Sequence, residues 1–496
     1  MTETAILETP AEAEGKSFSR PPLWWAVIQI VALAFHVPLS VLAGGVGATM
    51  DPGISVLISL VISVLGILIW LALSATLSRP WEGLMVTSAL LVGFWHWSAS
   101  ETSGNLLRIV WVALLVAGAA RFAGSQRFRI ATFAVAVTLG LTPLLVVATR
   151  AYASEPVVAS SFDGFPGNPE RKPDIYFLLL DAYGNSDVLR DIYGFDNEPF
   201  LSDLERRGFA VSRSATADYT YTHASIPSIL NMEYLPGVSL SQDAQSLASL
   251  TDAIAGNNRV VSWLKELGYT YIHGETSDGT NDCGPQVDIC LPSPYWDFTT
   301  EYLLGRTPVG PLLFPSNGSP HTAFNAARIK QMSRWQEDSD AESEGPVFAF
   351  IHLLLPHPPF ALDSNCDVRL DSDLSGRLSE RGLSAEVVSV RRAGYIEQVE
   401  CANQVVTQFI DQLDPDSMVI LTGDHGPESF GQLTIDGSEW NATELYERAG
   451  VLAAIRGPTG CQVALPEDHH LVNTFRIAMS CLTSSSLPLL PHLGTS

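Results

Sequence analysis

The sequence predicts a two-part chain: an N-terminal α-helical transmembrane bundle followed by an α/β domain with a mainly parallel sheet. Three observations carry this expectation. Five apolar runs crowd the first 150 residues, short β-rich apolar runs alternate with helical segments after residue 171, and the negative charge lies almost entirely in the second part.

The apolar runs extend from about Leu23 to Ala43, Ile54 to Leu77, Leu84 to Ala99, Leu106 to Ala120 and Ile130 to Ala148. A spanning helix needs about 17–25 apolar residues, so the first, second and fifth are comfortable and the other two are short. Lys16 and Arg20 precede the first run, Arg79 follows the second, and Arg121, Arg127 and Arg129 follow the fourth; the remaining two loops carry only Asp51 and Glu101. By the positive-inside rule the N-terminus is cytoplasmic, and five crossings place everything after Arg150 outside. The expected organisation is a cytoplasmic N-terminus (1–22), five transmembrane helices (23–149), a linker (150–171) and an extracytoplasmic domain (172–496). This is a multi-pass protein of the inner or plasma membrane. His36 and His96 fall inside the apolar runs and are read as packing residues.

The chain carries 28 Lys+Arg against 53 Asp+Glu, a formal charge of −25. Residues 1–150 hold eight basic and seven acidic residues, so the part beyond Arg150 carries −26. A domain this acidic repels phosphate backbones, which excludes nucleic acid as a partner. All six cysteines, Cys283, Cys290, Cys366, Cys401, Cys461 and Cys481, lie in this outer part, where disulfides persist. Six cysteines admit 15 pairings, of which pairing between sequence neighbours is favoured. The acidic stretch Glu337 to Glu344 reads as a solvated loop.

Within the outer part, the runs Ile175 to Leu180, Tyr269 to Ile272, Val347 to Leu355 and Met418 to Leu421 are continuously apolar. Continuous apolar strands, as opposed to alternating ones, belong to a parallel sheet covered on both faces. Asn258 to Leu267 has helical period and stops at Gly268.

The ends of these runs carry the chemistry. IYFLLL stops at Asp181, FAFIHLLLP at His357, and MVILTG at Asp424 and His425. Ligands of open parallel sheets bind beyond the carboxyl ends of the strands, so one rim collects two carboxylates and two imidazoles. Asp, Asp and His suit a divalent cation. Thr222, in YTYTHASIPSILNM, precedes an apolar helical run, where free N–H groups and the dipole favour an anion. Its hydroxyl is the candidate nucleophile, with Thr220 and Ser225 as local competitors.

Together, PDIYFLLLDAYG (Pro173 to Gly184), Thr222-x-x-Ser225, PHPPF (Pro356 to Phe360) and TGDHG (Thr422 to Gly426) resemble the alkaline phosphatase and sulfatase superfamily. Five spans ahead of the outer domain look like its membrane-anchored branch, which includes lipoteichoic acid synthases and lipid A phosphoethanolamine transferases. The resemblance implies an alkaline phosphatase-like (sulfatase-like) fold and a divalent metal, zinc or manganese. It implies Asp181, Asp424 and His425 as metal ligands, and Thr222 as a nucleophile that also touches the metal. His357 resembles a histidine that binds substrate or leaving group. His273, in YIHGE, resembles a substrate-contacting histidine of the polymer synthases, whereas His352 reads as a core strand residue. Sulfatases carry Cys-x-Pro-Ser-Arg at the nucleophile. Thr222 stands in the Cys place and cannot become formylglycine, which disfavours sulfate-ester hydrolysis by that route.

The expected activity is therefore a metal-dependent phosphoryl or phospho-alcohol transferase acting on membrane phospholipid or a cell-envelope glycan. A sulfatase-like hydrolase (phosphatase, phosphodiesterase or sulfuric ester hydrolase) is the alternative. A non-catalytic scaffold requires a broken metal set, and here all four positions are intact.

Overall fold

The computed structural model describes residues 20–44, 50–77, 79–97, 105–153, 167–235, 244–276, 281–292, 298–314, 320–333, 345–360, 362–369, 384–430 and 439–492. Most of the expected linker and the acidic 337–344 stretch lie outside these residues. The chain divides into a helical unit, mainly residues 1–147, and an α/β unit that takes up most of the remainder.

Five helices form the first unit: α1 (Leu23–Leu42), α2 (Pro52–Thr76), α3 (Pro80–Trp95), α4 (Asn105–Phe122) and α5 (Gln126–Ala153). Three apolar segments, Leu23–Leu42, Pro52–Thr76 and Gln126–Thr149, are long enough to cross a membrane. Packing follows residue size. α2 buries Ser55, Ser59, Ser63 and Gly66 and exposes Leu57, Leu60, Val64 and Leu68. A Cβ at Gly66 would stand 2.8 Å from Cγ2 of Ile30, so the missing side chain lets the two helices approach. Gln29 of α1 donates to Ser88 of α3 at 2.9 Å. His36 and His96 face each other with their Nε2 atoms 3.1 Å apart, an interhelical pair that uses one imidazole as donor and the other as acceptor.

The second unit is built on one seven-stranded sheet of order β2-β7-β6-β1-β5-β3-β4. Its strands are β1 (Ile175–Leu180), β2 (Ala210–Ser212), β3 (Thr270–Gly274), β4 (Ile289–Leu291), β5 (Val347–Leu353), β6 (Met418–Gly423) and β7 (Ala453–Arg456). β6, β1, β5, β3 and β4 run parallel, while β7 and β2 add an antiparallel edge. Every residue of β1, β5 and β6 is buried, as continuous apolar strands require. Tyr176, Leu178 and Leu180 enter one apolar core, and Ile175, Phe177 and Leu179 enter the other on the opposite face. The helix Arg259–Glu266 starts where the sequence places it, with the Asn258 side chain accepting from Val261 N–H.

The cysteines pair as Cys283–Cys290, Cys366–Cys401 and Cys461–Cys481, with Cα separations of 5.9, 5.1 and 5.2 Å.

Candidate metal centre

The three central strands β6, β1 and β5 end at one rim. Leu180 pairs with Gly423 on one side and Leu353 on the other, so the residues that follow these strands emerge together. Asp181 leaves β1 and Ala182 turns the chain with φ +61°, a left-handed conformation costly for a residue with a Cβ. The turn aims the Ala182 N–H at Asp424 Oδ1, 3.1 Å away. Beyond β6, Gly426 is obligatory, because a Cβ there would collide with the carbonyl oxygens of Glu447 and Gly450.

Asp181, Asp424 and His425 are buried, and one ligand atom from each lies within 4.8 Å of the others. His425 Nε2 stands 3.3 Å from Asp424 Oδ2 and 3.6 Å from Asp181 Oδ1. Donor atoms around a tetrahedral ion with bonds of 2.0–2.2 Å are roughly 3.4 Å apart, so the spacing suits one cation. Hydrogen bonding agrees. Asp181 Oδ1 and Asp424 Oδ2, the oxygens that face His425, are buried without a donor, an unstable arrangement unless a cation completes it. His425 Nδ1 donates to the Gly426 carbonyl at 3.0 Å, which leaves the Nε2 lone pair pointing into the cluster.

Protonation favours ligation as well. Burial pushes the Asp181 carboxyl up, but the charge of His357, the hydrogen bond from His352 and the charge of His425 together outweigh it and hold the group below the usual carboxylate range. Burial, aided by the Arg448 charge, lowers His425 to about 4. At neutral pH the cluster therefore offers an ionised carboxylate and a neutral imidazole, the forms a metal takes.

Thr222 opens the helix Thr222–Asn231, and its Oγ1 lies 3.2 Å from His425 Nε2. Neither competing hydroxyl bonds a side chain of the cluster. Ser225 Oγ donates to the Asp424 carbonyl at 2.6 Å, and Thr220 Oγ1 is buried without a partner. The arrangement thus brings Asp181, Asp424, His425 and Thr222 together. His357 is half-buried nearby, close enough for its charge to act on Asp181 and His425, with Nδ1 bonded to the Pro358 carbonyl at 2.6 Å. His273 is not brought to the cluster: it stands on β3, beyond β5 from β1, wholly buried, and bonded to the Tyr271 hydroxyl at 2.7 Å.

Three supporting residues escape sequence reasoning. His352, read as a core residue, is indeed fully buried, but its Nε2 lies 3.3 Å from Asp181 Oδ2 and so braces the oxygen that does not face the cluster. Its position on the strand that leads into the His357 loop, five residues before that histidine, was the available signal. Buried Arg448 donates through Nε to the Thr220 carbonyl at 2.9 Å and through Nη1 to the Gly426 carbonyl at 3.0 Å. One guanidinium thus clamps the Thr222 segment to the His425 loop. The Tyr395 hydroxyl donates to the Ala182 carbonyl at 2.9 Å and accepts from Gly184 N–H at 3.0 Å. The last two come from helices without any motif.

The family model described as Sulfatase matches residues 173–477, which contain every residue of this centre. The chain belongs to the sulfatase family. No curated protein matches this sulfatase-family chain. Among solved structures, it is similar to the C-terminal periplasmic domain of EcEptC from Escherichia coli in complex with Zn, at 13% identity over 66% of this chain and 86% of that one, with TM-score 0.41. It is similar to the phosphonate monoester hydrolase of Agrobacterium radiobacter at 14% identity, 63% and 74% coverage and TM-score 0.42. A protein in the alkaline phosphatase superfamily from Vibrio parahaemolyticus gives 14%, 68% and 74%, with TM-score 0.39.

Proposed function

We propose that this sulfatase-family enzyme is a metal-dependent phosphoryl or phospho-alcohol transferase with Thr222 as its nucleophile. The observation that carries the reading is the Thr222 hydroxyl, 3.2 Å from His425 Nε2 at a buried Asp181, Asp424 and His425 cluster whose facing carboxylate oxygens lack donors. Asp181, Asp424, His425 and the Thr222 hydroxyl would hold a divalent cation, zinc or manganese, which supplies positive charge to acidify that hydroxyl and offset the nonbridging oxygens of an anionic ester.

Thr222 Oγ1, its own proton first lost to solvent, attacks phosphorus as the oxyanion, the bond to the leaving alcohol breaks, and protonated His357 delivers a proton to the departing oxygen. The group rests on Thr222. An acceptor alcohol then gives its proton to His357 and takes the group, restoring the threonine. The N-terminal position of Thr222 in its helix adds a favourable dipole for the anion. His273, closed in the core, takes no step in this scheme.

The donor in this reading is a membrane phospholipid and the acceptor an envelope glycan or lipid. The basic loops support a domain outside a five-span anchor in the inner or plasma membrane. Water in place of the acceptor makes the same residues a phosphatase or phosphodiesterase. Sulfate-ester hydrolysis through formylglycine is closed to a threonine. Headgroup-labelled phospholipid in membranes, supplied with an envelope extract, separates the two. Label joined to an envelope component supports the transferase, and label released only as a free small molecule refutes it.

A further inference from the structure

The long helix Ala385–Ile410 lies beside the centre and presents one stripe to it. Tyr395 on that stripe bonds the backbone directly after Asp181. Gln398 donates to the Pro356 and His357 carbonyls, both at 3.1 Å. Arg391 is one turn before Tyr395, about 6 Å along the axis and on the same face. Side chains on a helix lean toward its N-terminus, so Arg391 continues this stripe one turn beyond Tyr395.

Arg391 is only 7% exposed, and its Nε and Nη1 are sealed from solvent with no hydrogen-bond partner. Its neighbour Arg392 bonds Ser429 Oγ at 3.1 and 3.2 Å and lies over the rings of Tyr193 and Phe430. The other buried arginines of this unit, Arg259, Arg328, Arg448, Arg456 and Arg476, all donate to carbonyl oxygens. Among the described residues, Arg391 is the buried arginine left without an acceptor. A guanidinium keeps its charge inside a protein. Burying it unpaired is unfavourable, and the cost disappears when an anion enters. The planar fork suits the paired oxygens of a tetrahedral oxyanion.

We propose that Arg391 forms an anion subsite beside the metal centre that takes a phosphate group of the substrate. The reading rests on the transferase or phosphodiesterase chemistry for the class of ligand, but not on Thr222 for its existence. The phosphate belongs either to a lipid headgroup or to a soluble ester. Local positive charge here offsets the repulsion an anion meets on a domain of net −26.

The test uses full-length, detergent-solubilised, manganese-loaded protein as wild type, Arg391→Met, Arg391→Lys and Thr222→Ala. Each is titrated with inorganic phosphate and, separately, with micelles doped with phosphatidic acid, following both affinity and the thermal midpoint. Wild type binds the anion, and Arg391→Met binds it at least about tenfold more weakly. Arg391→Lys lies between them. With no anion present, Arg391→Met unfolds at the wild-type temperature or above, because the change removes an unpaired charge. An Arg391-dependent response to phosphate marks a soluble oxyanion, and one confined to the micelles marks a headgroup. Equal binding of both probes by wild type and Arg391→Met overturns the subsite, as does a fall of the anion-free midpoint in Arg391→Met. Turnover of Thr222→Ala on headgroup-labelled phospholipid is measured in parallel: if it stays full while Arg391-dependent binding persists, the nucleophile assignment fails and the subsite stands.

Discussion

Asp424→Asn separates a metal ligand from a structural cap. Asp424 is fully buried; Oδ1 accepts the Ala182 N–H, and Oδ2 faces His425 without a donor. Asparagine keeps the first bond and removes the charge. The ligand oxygens of Asp181 and Asp424 lie within 4.8 Å. At an effective dielectric of about 20 their mutual repulsion is at least about 3.5 kcal/mol, which the substitution relieves when no cation is present. With a cation at 100 times its dissociation constant, wild type gains about 2.7 kcal/mol, most of which the variant forfeits. The two effects have opposite signs. Thermal unfolding of solubilised protein in chelator and in excess manganese or zinc reads both. The expected outcome is a variant at least as stable as wild type in chelator and less stable with metal, with cation affinity reduced about 100-fold or more. Equal destabilisation in both conditions would refute the reasoning, because it would mean that Asp424 serves only to hold the Ala182 turn.

Thr222→Ala should lower turnover about 10³-fold or more with metal binding reduced only modestly, whereas Thr222→Ser keeps a hydroxyl and retains most activity; a steady-state assay of both decides it. Arg448→Met removes two charge-assisted bonds, to the Thr220 and Gly426 carbonyls, and should destabilise the α/β unit by about 3 kcal/mol. In the folded fraction of that variant kcat falls more than KM changes, and an unaltered kcat contradicts the clamp. Burial holds His273 at about 3, His425 at about 4 and His469 at about 3, against an ordinary 6.5. Below pH 6.5 the unfolded metal-free chain binds protons that the folded one refuses, so stability falls with pH, by about 2 kcal/mol per histidine at pH 5. Asp181 acts in a lower window: its pKa is depressed, so its contribution is present above the ordinary 3.8 and is lost as pH falls further. Midpoints in chelator between pH 7.5 and 5 test the histidine effect, and a flat profile contradicts it.

The parts of this fold that the sequence announces are those with a strong local cause. β1, β5 and β6 are buried on both faces, so their apolar runs are continuous and their ends fall at Asp181, His357 and Asp424. The long apolar helices declare themselves by length, and the short α3 does so less clearly. β2, β4 and β7 are three or four residues long, too short for a periodic signal. The site divides the same way. Asp181, Thr222, Asp424 and His425 each sit at an element boundary that breaks an apolar pattern. His352 does not break it, because it sits inside a buried strand, and its contact with Asp181 depends on the register of β1 and β5. Arg448 and Tyr395 reach the centre from helices whose sequences read as ordinary amphipathic surface. Their roles exist only once tertiary packing brings the Thr220 carbonyl and the Ala182 turn within reach.

The most direct measurement is of the covalent intermediate. Protein in membranes with headgroup-labelled phospholipid is quenched in acid during turnover, digested, and the labelled peptide sequenced by mass spectrometry. The account predicts a phosphoryl or phospho-alcohol group on Thr222, absent from Thr222→Ala and from chelator-treated protein. Sustained turnover with Thr222 unmodified, or label on Thr220 or Ser225, would contradict it.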